Sequence, residues 1–296
     1  MPSRRILVAI AALLVLLGGG AAFALLHTKP APAPAAEAPK PEYPSSETVG
    51  KSVEGRAITA YTYGTGSTTL LFVGGMHGGY EWNSVLLAYQ FMDYLAANPA
   101  AVPANLSIAV IPSINPDAVY EAVGKEGRFA AADATTSVAA LAAARFNAHD
   151  VDLNRNFACH WQATSTWQNR PVSAGSAAFS EPEAQALRAF VTKHKPAVAV
   201  FWHSAAGSVY ASECDAGVLS GTMDAMNAYA KAAGYPAVAS FDAYPITGDS
   251  EGWLASQNIP AITVELSSHT AVEWDKNLAG IKSLVSLYAV SPALGR

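Results

Sequence analysis

Histidine and glutamate side chains stand at the ends of several short apolar runs in this sequence. His77 and Glu81 follow one run closely, and His203 and Glu265 end two others. In α/β folds, polar groups at strand ends collect at one edge of the sheet. Two imidazoles and a carboxylate around an open position make a catalytic zinc site, and a further carboxylate can accept the proton of the activated water. Each residue alone has an ordinary structural explanation, but the combination indicates metal-assisted hydrolysis.

Five motifs surround these residues in a fixed order along the chain. They are Gly-Lys-Ser-Val-Glu-Gly-Arg-Ala-Ile at 50–58, Asn-Pro-Asp at 115–117, Val-Asp-Leu-Asn-Arg-Asn-Phe at 151–157, Tyr-x₃-Gly-x₄-Trp at 244–253 and Ile-Pro-Ala-Ile-Thr-Val-Glu-Leu at 259–266. With these motifs the sequence resembles the zinc carboxypeptidase family over roughly residues 48–290. The resemblance implies a zinc hydrolase that acts on peptide bonds.

The resemblance also implies roles for the residues at the strand ends. His77, Glu81 and His203 would hold one zinc ion per chain. Glu265 would be the general base that accepts a proton from water and then protonates the leaving amine. Asp152, in the third motif, would orient His77 from behind the metal site.

A second set of residues would bind the substrate, again as the resemblance implies. Asn154 and Arg155 would hold the terminal carboxylate, because the planar guanidinium binds a carboxylate with two hydrogen bonds; a structural ion pair is the alternative for Arg155. Arg145 would polarise the scissile carbonyl and stabilise the oxyanion, with Arg128 as the competing candidate. Tyr244 would close over the bound end group, unless it only packs in a loop.

Glu251 and the two cysteines complete the predicted cleft. Glu251 falls where the resemblance places the floor of the specificity pocket, and an acidic side chain there accompanies a preference for basic end groups. The alternative is that Glu251 points to solvent. Cys159 and Cys214 flank the same site, and in an oxidising compartment we expect them to form one disulfide.

One motif departs from the family pattern. The family has two residues between its first histidine and the glutamate, whereas three separate His77 from Glu81. We expect the extra residue to be absorbed as a bulge, because Gly78 and Gly79 tolerate unusual backbone angles. Without that bulge, the protein would be a metal-poor pseudoenzyme.

The remaining histidines have no motif around them. A lone histidine is more often a hydrogen-bonded structural residue than a ligand. We therefore interpret five histidines as ordinary surface or core residues: His27, His149, His160, His194 and His269.

The elements that position these residues alternate along the chain. Short apolar runs predict strands at 58–63, 69–74, 107–112, 197–203 and 261–265, and helical patterns cover 82–97, 181–194, 221–233 and 271–288. This alternation predicts an α/β fold with a mixed, largely parallel twisted sheet, covered by helices on both faces. No second linker interrupts it, so we expect a single catalytic domain at 47–296.

The first residues have a different composition. Residues 6–26 are uncharged and apolar and follow two arginines, which predicts a signal peptide or an N-terminal membrane anchor at 1–26. Residues 27–46 form a Pro/Ala-rich linker. We therefore expect an extracytoplasmic enzyme, secreted, periplasmic or anchored, that meets the membrane only through this segment.

Composition limits the partners. The chain has 296 residues, and 18 Lys+Arg against 23 Asp+Glu give a net charge of −5, which argues against a nucleic-acid partner. We expect a monomer that acts as an exopeptidase on peptides with a free C-terminal carboxylate. A cell-wall stem-peptide amidase is the alternative within the family, and an inactive carboxylate-binding protein is the alternative outside catalysis.

Overall fold

The computed structural model describes residues 44–241 and 244–290. The predicted signal peptide or anchor, 1–26, and residues 27–43 of the predicted linker lie outside this part. The described residues belong to one compact unit, Glu42–Arg296. Among them, no helix combines the length and the apolar character needed to cross a membrane.

The strands are short, and most contain the β-branched and aliphatic residues that favour extended backbone. In chain order they are β1 (Ser45–Lys51), β2 (Ala57–Tyr63), β3 (Thr68–Val73), β4 (Leu106–Ile111), β5 (Thr164–Trp167), β6 (Arg170–Ser173), β7 (Val198–Ser204), β8 (Val209–Ala211), β9 (Glu213–Cys214), β10 (Gly217–Val218), β11 (Ala237–Val238) and β12 (Ala261–Leu266).

Helices fill the segments between them: α1 (Trp82–Ala97), α2 (Pro116–Val123), α3 (Val138–Ala143), α4 (Pro182–His194), α5 (Ser220–Ala233), α6 (Ser250–Ser256) and α7 (Trp274–Val290). Their ends have local causes. Asn115 caps α2 by accepting a backbone N–H of its first turn, and Pro116 occupies its first position. Gly124 ends that helix in the left-handed conformation, which glycine adopts without steric cost.

Eight strands form one mixed sheet in the order β1-β2-β4-β3-β7-β12-β8-β11. The four central strands β4, β3, β7 and β12 are parallel, and the pairs β1–β2, β2–β4 and β12–β8 are antiparallel. The other strands form the hairpins β5–β6 and β9–β10. The carboxyl ends of the parallel strands therefore meet at one edge.

Both faces of the sheet are buried. On β7, Val200 and Trp202 face the core covered by α1, α5 and α7, whereas Ala199 and Phe201 face the core covered by α4 and α6. This alternation follows from the two-residue period of a strand. Each fully buried large apolar side chain contributes about 1.5–3 kcal/mol. The predicted fold class is confirmed.

The predicted elements correspond to β2, β3, β4, β7, β12, α1, α4, α5 and α7 within a few residues. β1 begins at Ser45, inside the predicted linker, because its backbone pairs with β2. The sequence analysis missed the strands of two to four residues, which are too short to show a period, and the short helices α2, α3 and α6.

Candidate active site

A cavity of about 600 Å³ opens at the carboxyl ends of the parallel strands. His77 follows β3, and the register of β7 and β12 places His203 directly opposite Glu265. All three side chains line the cavity. The strand ends thus bring together residues that are nearly two hundred positions apart in the sequence.

His77, Glu81 and His203 direct three ligand atoms toward one point. His77 Nδ1 lies 2.8 Å from Glu81 Oε1, His203 Nδ1 lies 3.0 Å from Glu81 Oε2, and the two Nδ1 atoms are 3.1 Å apart. A tetrahedral zinc ion with Zn–N bonds of about 2.0–2.1 Å would hold its ligand atoms about 3.3 Å apart. All three side chains are buried. The residues therefore fit a zinc ion.

The extra residue in the first motif is accommodated by a short 3₁₀ turn, Gly78–Glu81, rather than by a bulge between paired strands. Gly78 has φ +46°, and a Cβ atom on it would lie 2.3 Å from the Cβ of Ala118. A Cβ on Gly79 would lie 2.2 Å from the Cβ of Ala122. The two glycines let the turn pack closely against α2. The turn thereby carries Glu81 back toward His77.

A buried carboxylate lies behind each histidine. His77 Nε2 is 3.4 Å from Asp152 Oδ1, and His203 Nε2 is 3.4 Å from Glu251 Oε1. Neither Nε2 atom makes a hydrogen bond within the described part of the chain. Asp152 stands where the sequence predicted it, whereas no sequence signal indicated the position of Glu251 behind His203.

Glu265 lines the cavity, and its Oε2 accepts a hydrogen bond from the backbone N–H of Ala206 at 3.2 Å. Burial raises the pKa of the Glu265 carboxyl to about 7, and the nearby Glu81 carboxylate acts in the same direction. A general base works best with a pKa near the ambient pH. The environment of Glu265 therefore suits proton transfer.

The structure separates the two arginines proposed for the oxyanion role. Arg145 lines the cavity and is buried, with Nε and Nη2 donating to Asp152 Oδ2 at 3.1 and 2.9 Å. Its Nη1 lies 3.8 Å from Glu81 Oε1. Arg128 is about half exposed and pairs with Asp93 outside the cavity. The geometry thus favours Arg145 over Arg128.

Asn154 and Arg155 belong to a 3₁₀ turn, Leu153–Arg155, in the cavity wall. Asn154 Oδ1 accepts a hydrogen bond from the backbone N–H of Ser250 at 2.9 Å, and the Ser250 hydroxyl, which donates to Glu251, lies 2.9 Å from it. Arg155 Nη1 donates to the Asn154 carbonyl at 2.7 Å. Arg155 Nε is buried and has no partner among the described residues. The guanidinium therefore retains donors for a ligand.

Tyr244 and the disulfide form another part of the wall. Tyr244 lines the cavity, and its ring centre is 4.8 Å from that of Phe241. Cys159 and Cys214 are joined by a disulfide and also line the cavity. The bridge connects the segment after Asn154 and Arg155 to β9.

Glu251 is only 2% exposed, so its side chain does not point to solvent. Its carboxylate accepts hydrogen bonds from Ser250 Oγ at 2.8 Å and from Thr263 Oγ1 at 2.9 Å. Burial alone would raise its pKa, but the contacts with His203 and Ser250 lower the pKa to about 2. Glu251 also lines the cavity, and its role in a specificity pocket stays a prediction.

His269 lines the cavity, although the sequence predicted an ordinary surface or core residue. Its ring packs on Tyr80 at 4.5 Å between ring centres, and its Nδ1 lies 2.9 Å from Ser204 Oγ. Ser204 donates its proton to Asn83 Oδ1, since the Asn83 amide donates to two carbonyls of the loop carrying His269. The hydroxyl therefore accepts from His269 Nδ1. Only the folded chain reveals this position, because no motif surrounds His269.

Three of the other isolated histidines contact carboxylates. His149 contacts Glu181, His194 contacts Glu47, and His160 contacts Asp215 at the rim of the cavity. His27 lies outside the described residues.

Comparisons with known proteins identify the family of this chain. Residues 35–274 match the sequence profile of the zinc carboxypeptidase family. Thrombin activatable fibrinolysis inhibitor superposes with a TM-score of 0.66 at 18% identity, covering 85% of this chain and 73% of that one. Carboxypeptidase A from Helicoverpa armigera gives 0.60 at 18% identity, covering 86% and 69%. Murein-tripeptide amidase from Escherichia coli O157 gives 0.56 at 20% identity, covering 83% and 93%. The chain belongs to the zinc carboxypeptidase family.

Proposed function

We propose that this protein is a zinc-dependent exopeptidase that hydrolyses the C-terminal peptide bond of its substrate. The position of Arg155 carries the proposal. Its guanidinium is buried in the cavity that holds the three ligand residues, and its Nε is unpartnered among residues 44–241 and 244–290. A buried N–H donor without a partner destabilises the fold. The two oxygens of a terminal carboxylate would accept hydrogen bonds from the Arg155 guanidinium.

The remaining steps follow from the positions of the side chains. One zinc ion per chain, when bound, would lower the pKa of a coordinated water to about 7 and polarise the scissile carbonyl. Glu265 would accept the proton of the attacking water and donate it to the leaving nitrogen. Asp152 holds the Arg145 guanidinium through Nε and Nη2, which leaves Nη1 to stabilise the developing oxyanion. Asn154 and Tyr244 would hold the end group with Arg155.

The charge of the cavity wall supports a preference for basic end groups. Besides the ligand and base residues, three acidic residues, Glu213, Asp249 and Glu251, line the cavity together with Arg145 and Arg155. An acidic wall attracts a cationic side chain and disfavours an acidic one. We therefore propose lysine, arginine or a diamino acid as the preferred residue.

A second candidate is hydrolysis of a cell-wall stem peptide next to a diamino acid. The murein-tripeptide amidase resembles this fold over 93% of its own length, which supports the candidate. A diamino acid combines an ammonium group for the acidic wall with a carboxylate for Arg155. We also propose that the protein acts as a monomer outside the cytoplasm, where a disulfide is stable.

The experiment that tests both candidates incubates the full-length, zinc-loaded protein with two substrates. One is a peptide with a C-terminal lysine, and the other is a murein tripeptide. Release of free lysine supports the exopeptidase, whereas release of the diamino acid alone supports the cell-wall enzyme. Zinc binding without turnover on either substrate would contradict both and leave a carboxylate-binding protein.

A further inference from the structure

The two metal-facing histidines are supported in the same way. Each directs Nδ1 to the common point and Nε2 away from it, toward one buried carboxylate at 3.4 Å. Asp152 provides this carboxylate for His77, and Glu251 provides it for His203. The arrangement suggests that Glu251 serves His203 in addition to lining the cavity.

The Glu251 carboxylate is held firmly in this position. It lies on α6 and receives hydrogen bonds from Ser250 Oγ and Thr263 Oγ1. Thr263 pairs in register with Phe201, two residues before His203 on the neighbouring strand. The contact is therefore fixed by the β7–β12 pairing and by the docking of α6.

A histidine that binds a metal through one nitrogen needs a partner for its other N–H. A carboxylate in this place fixes the tautomer and the ring orientation and makes the imidazole a stronger ligand. His203 Nε2 is buried, and Glu251 Oε1 is the acceptor within ion-pair distance. Removing this carboxylate would take away the acceptor that faces the buried N–H group.

We propose that Glu251 is a positioning residue that orients His203 and thereby sets the affinity of the site for zinc. The proposal rests on the zinc-dependent function proposed above. It assigns to Glu251 a role in metal binding that is separate from its predicted role in the specificity pocket.

The experiment measures the zinc dissociation constant of the full chain by competition with a chromogenic chelator. Glu251→Gln keeps the shape of the side chain and removes its charge, and we expect it to bind zinc roughly 10–100-fold more weakly. Glu251→Asp keeps the negative charge but places it farther from His203, and it should retain part of the affinity for zinc. The control is Asp93→Asn, which neutralises a carboxylate that pairs with Arg128 outside the cavity. The control should bind zinc like the wild type.

Unchanged zinc affinity in Glu251→Gln would overturn the proposal, as would an equal loss in Asp93→Asn. A wild type that binds no zinc would instead contradict the proposed function. Equal thermal unfolding temperatures of the metal-free wild type and Glu251→Gln would show that the loss of zinc affinity arises at the metal site and not from a less stable fold. If Glu251→Gln does not fold, Thr263→Val is the second variant, since it removes one hydrogen bond that holds the carboxylate. We expect it to bind zinc more weakly than the wild type, and unchanged affinity would again overturn the proposal.

Discussion

Replacing Arg155 by alanine tests carboxylate recognition directly. Nη1 of this arginine is engaged by the Asn154 carbonyl, whereas Nε is unpartnered among the described residues and Nη2 makes only a 3.4 Å contact with the Thr166 carbonyl. Nε and Nη2 share one edge of the guanidinium, so they form a fork for two carboxylate oxygens. Each charge-assisted bond contributes about 1.5–3 kcal/mol. Loss of both removes about 3 kcal/mol or more, which is roughly a hundredfold or more in kcat/KM.

The assay compares a peptide carrying a free C-terminal carboxylate with its C-terminal amide. The wild type should prefer the free acid, and Arg155→Ala should lose most of this preference by slower cleavage of the free acid. Arg155→Lys should lie between them, since lysine keeps the charge but lacks the fork. Arg128→Ala is the matched control, because Arg128 pairs with Asp93 outside the cavity, and it should cleave both peptides as the wild type does.

Two results would refute this reasoning. Equal cleavage of the free acid and the amide by the wild type would mean that the enzyme is not a carboxypeptidase. Unchanged preference in Arg155→Ala would show that another group binds the carboxylate.

Three further predictions concern the zinc ligands, the general base and the loss of stability at low pH. Glu81→Ala should lower zinc content as strongly as His77→Ala, and full metal occupancy in Glu81→Ala would remove Glu81 from the ligand set. Glu265→Gln should keep zinc but lower kcat by roughly 10²–10⁴-fold, because proton transfer is lost; a variant with more than a tenth of the wild-type kcat would exclude Glu265 as the base. Burial alone would raise the pKa of Glu273, but hydrogen bonds from Lys276 and its other neighbours lower it to about 2. Glu273 should therefore stabilise the fold at pH values above its unfolded-state pKa. In urea unfolding, Glu273→Gln should have a lower free energy of unfolding than the wild type near neutral pH, and this difference should disappear as pH falls toward 2. A difference that persists at pH 2 would contradict this assignment.

Local patterns in the sequence predicted much of the fold. The runs that became β3, β4, β7 and β12 contain enough residues to show a buried strand, and the longer helices show their own period. Parallel strands must end at the same edge, so His77, His203 and Glu265 could be expected to meet there. The family motifs likewise indicated Asn154 and Arg155.

Other features depend on contacts between distant segments. Strands such as β8 and β11 are only two or three residues long and form because their backbone pairs with a neighbouring strand. No local sequence pattern predicts them. The choice of Arg145 over Arg128 follows from which arginine reaches Asp152.

The sequence by itself predicted the ligand, base and carboxylate-binding residues, because short motifs that resemble those of the family contain them. Only the tertiary structure placed Glu251 behind His203 and brought His269 to the cavity. Both positions depend on strand register and on how α6 and the loop after β12 pack, and these depend on the whole fold rather than on neighbouring residues.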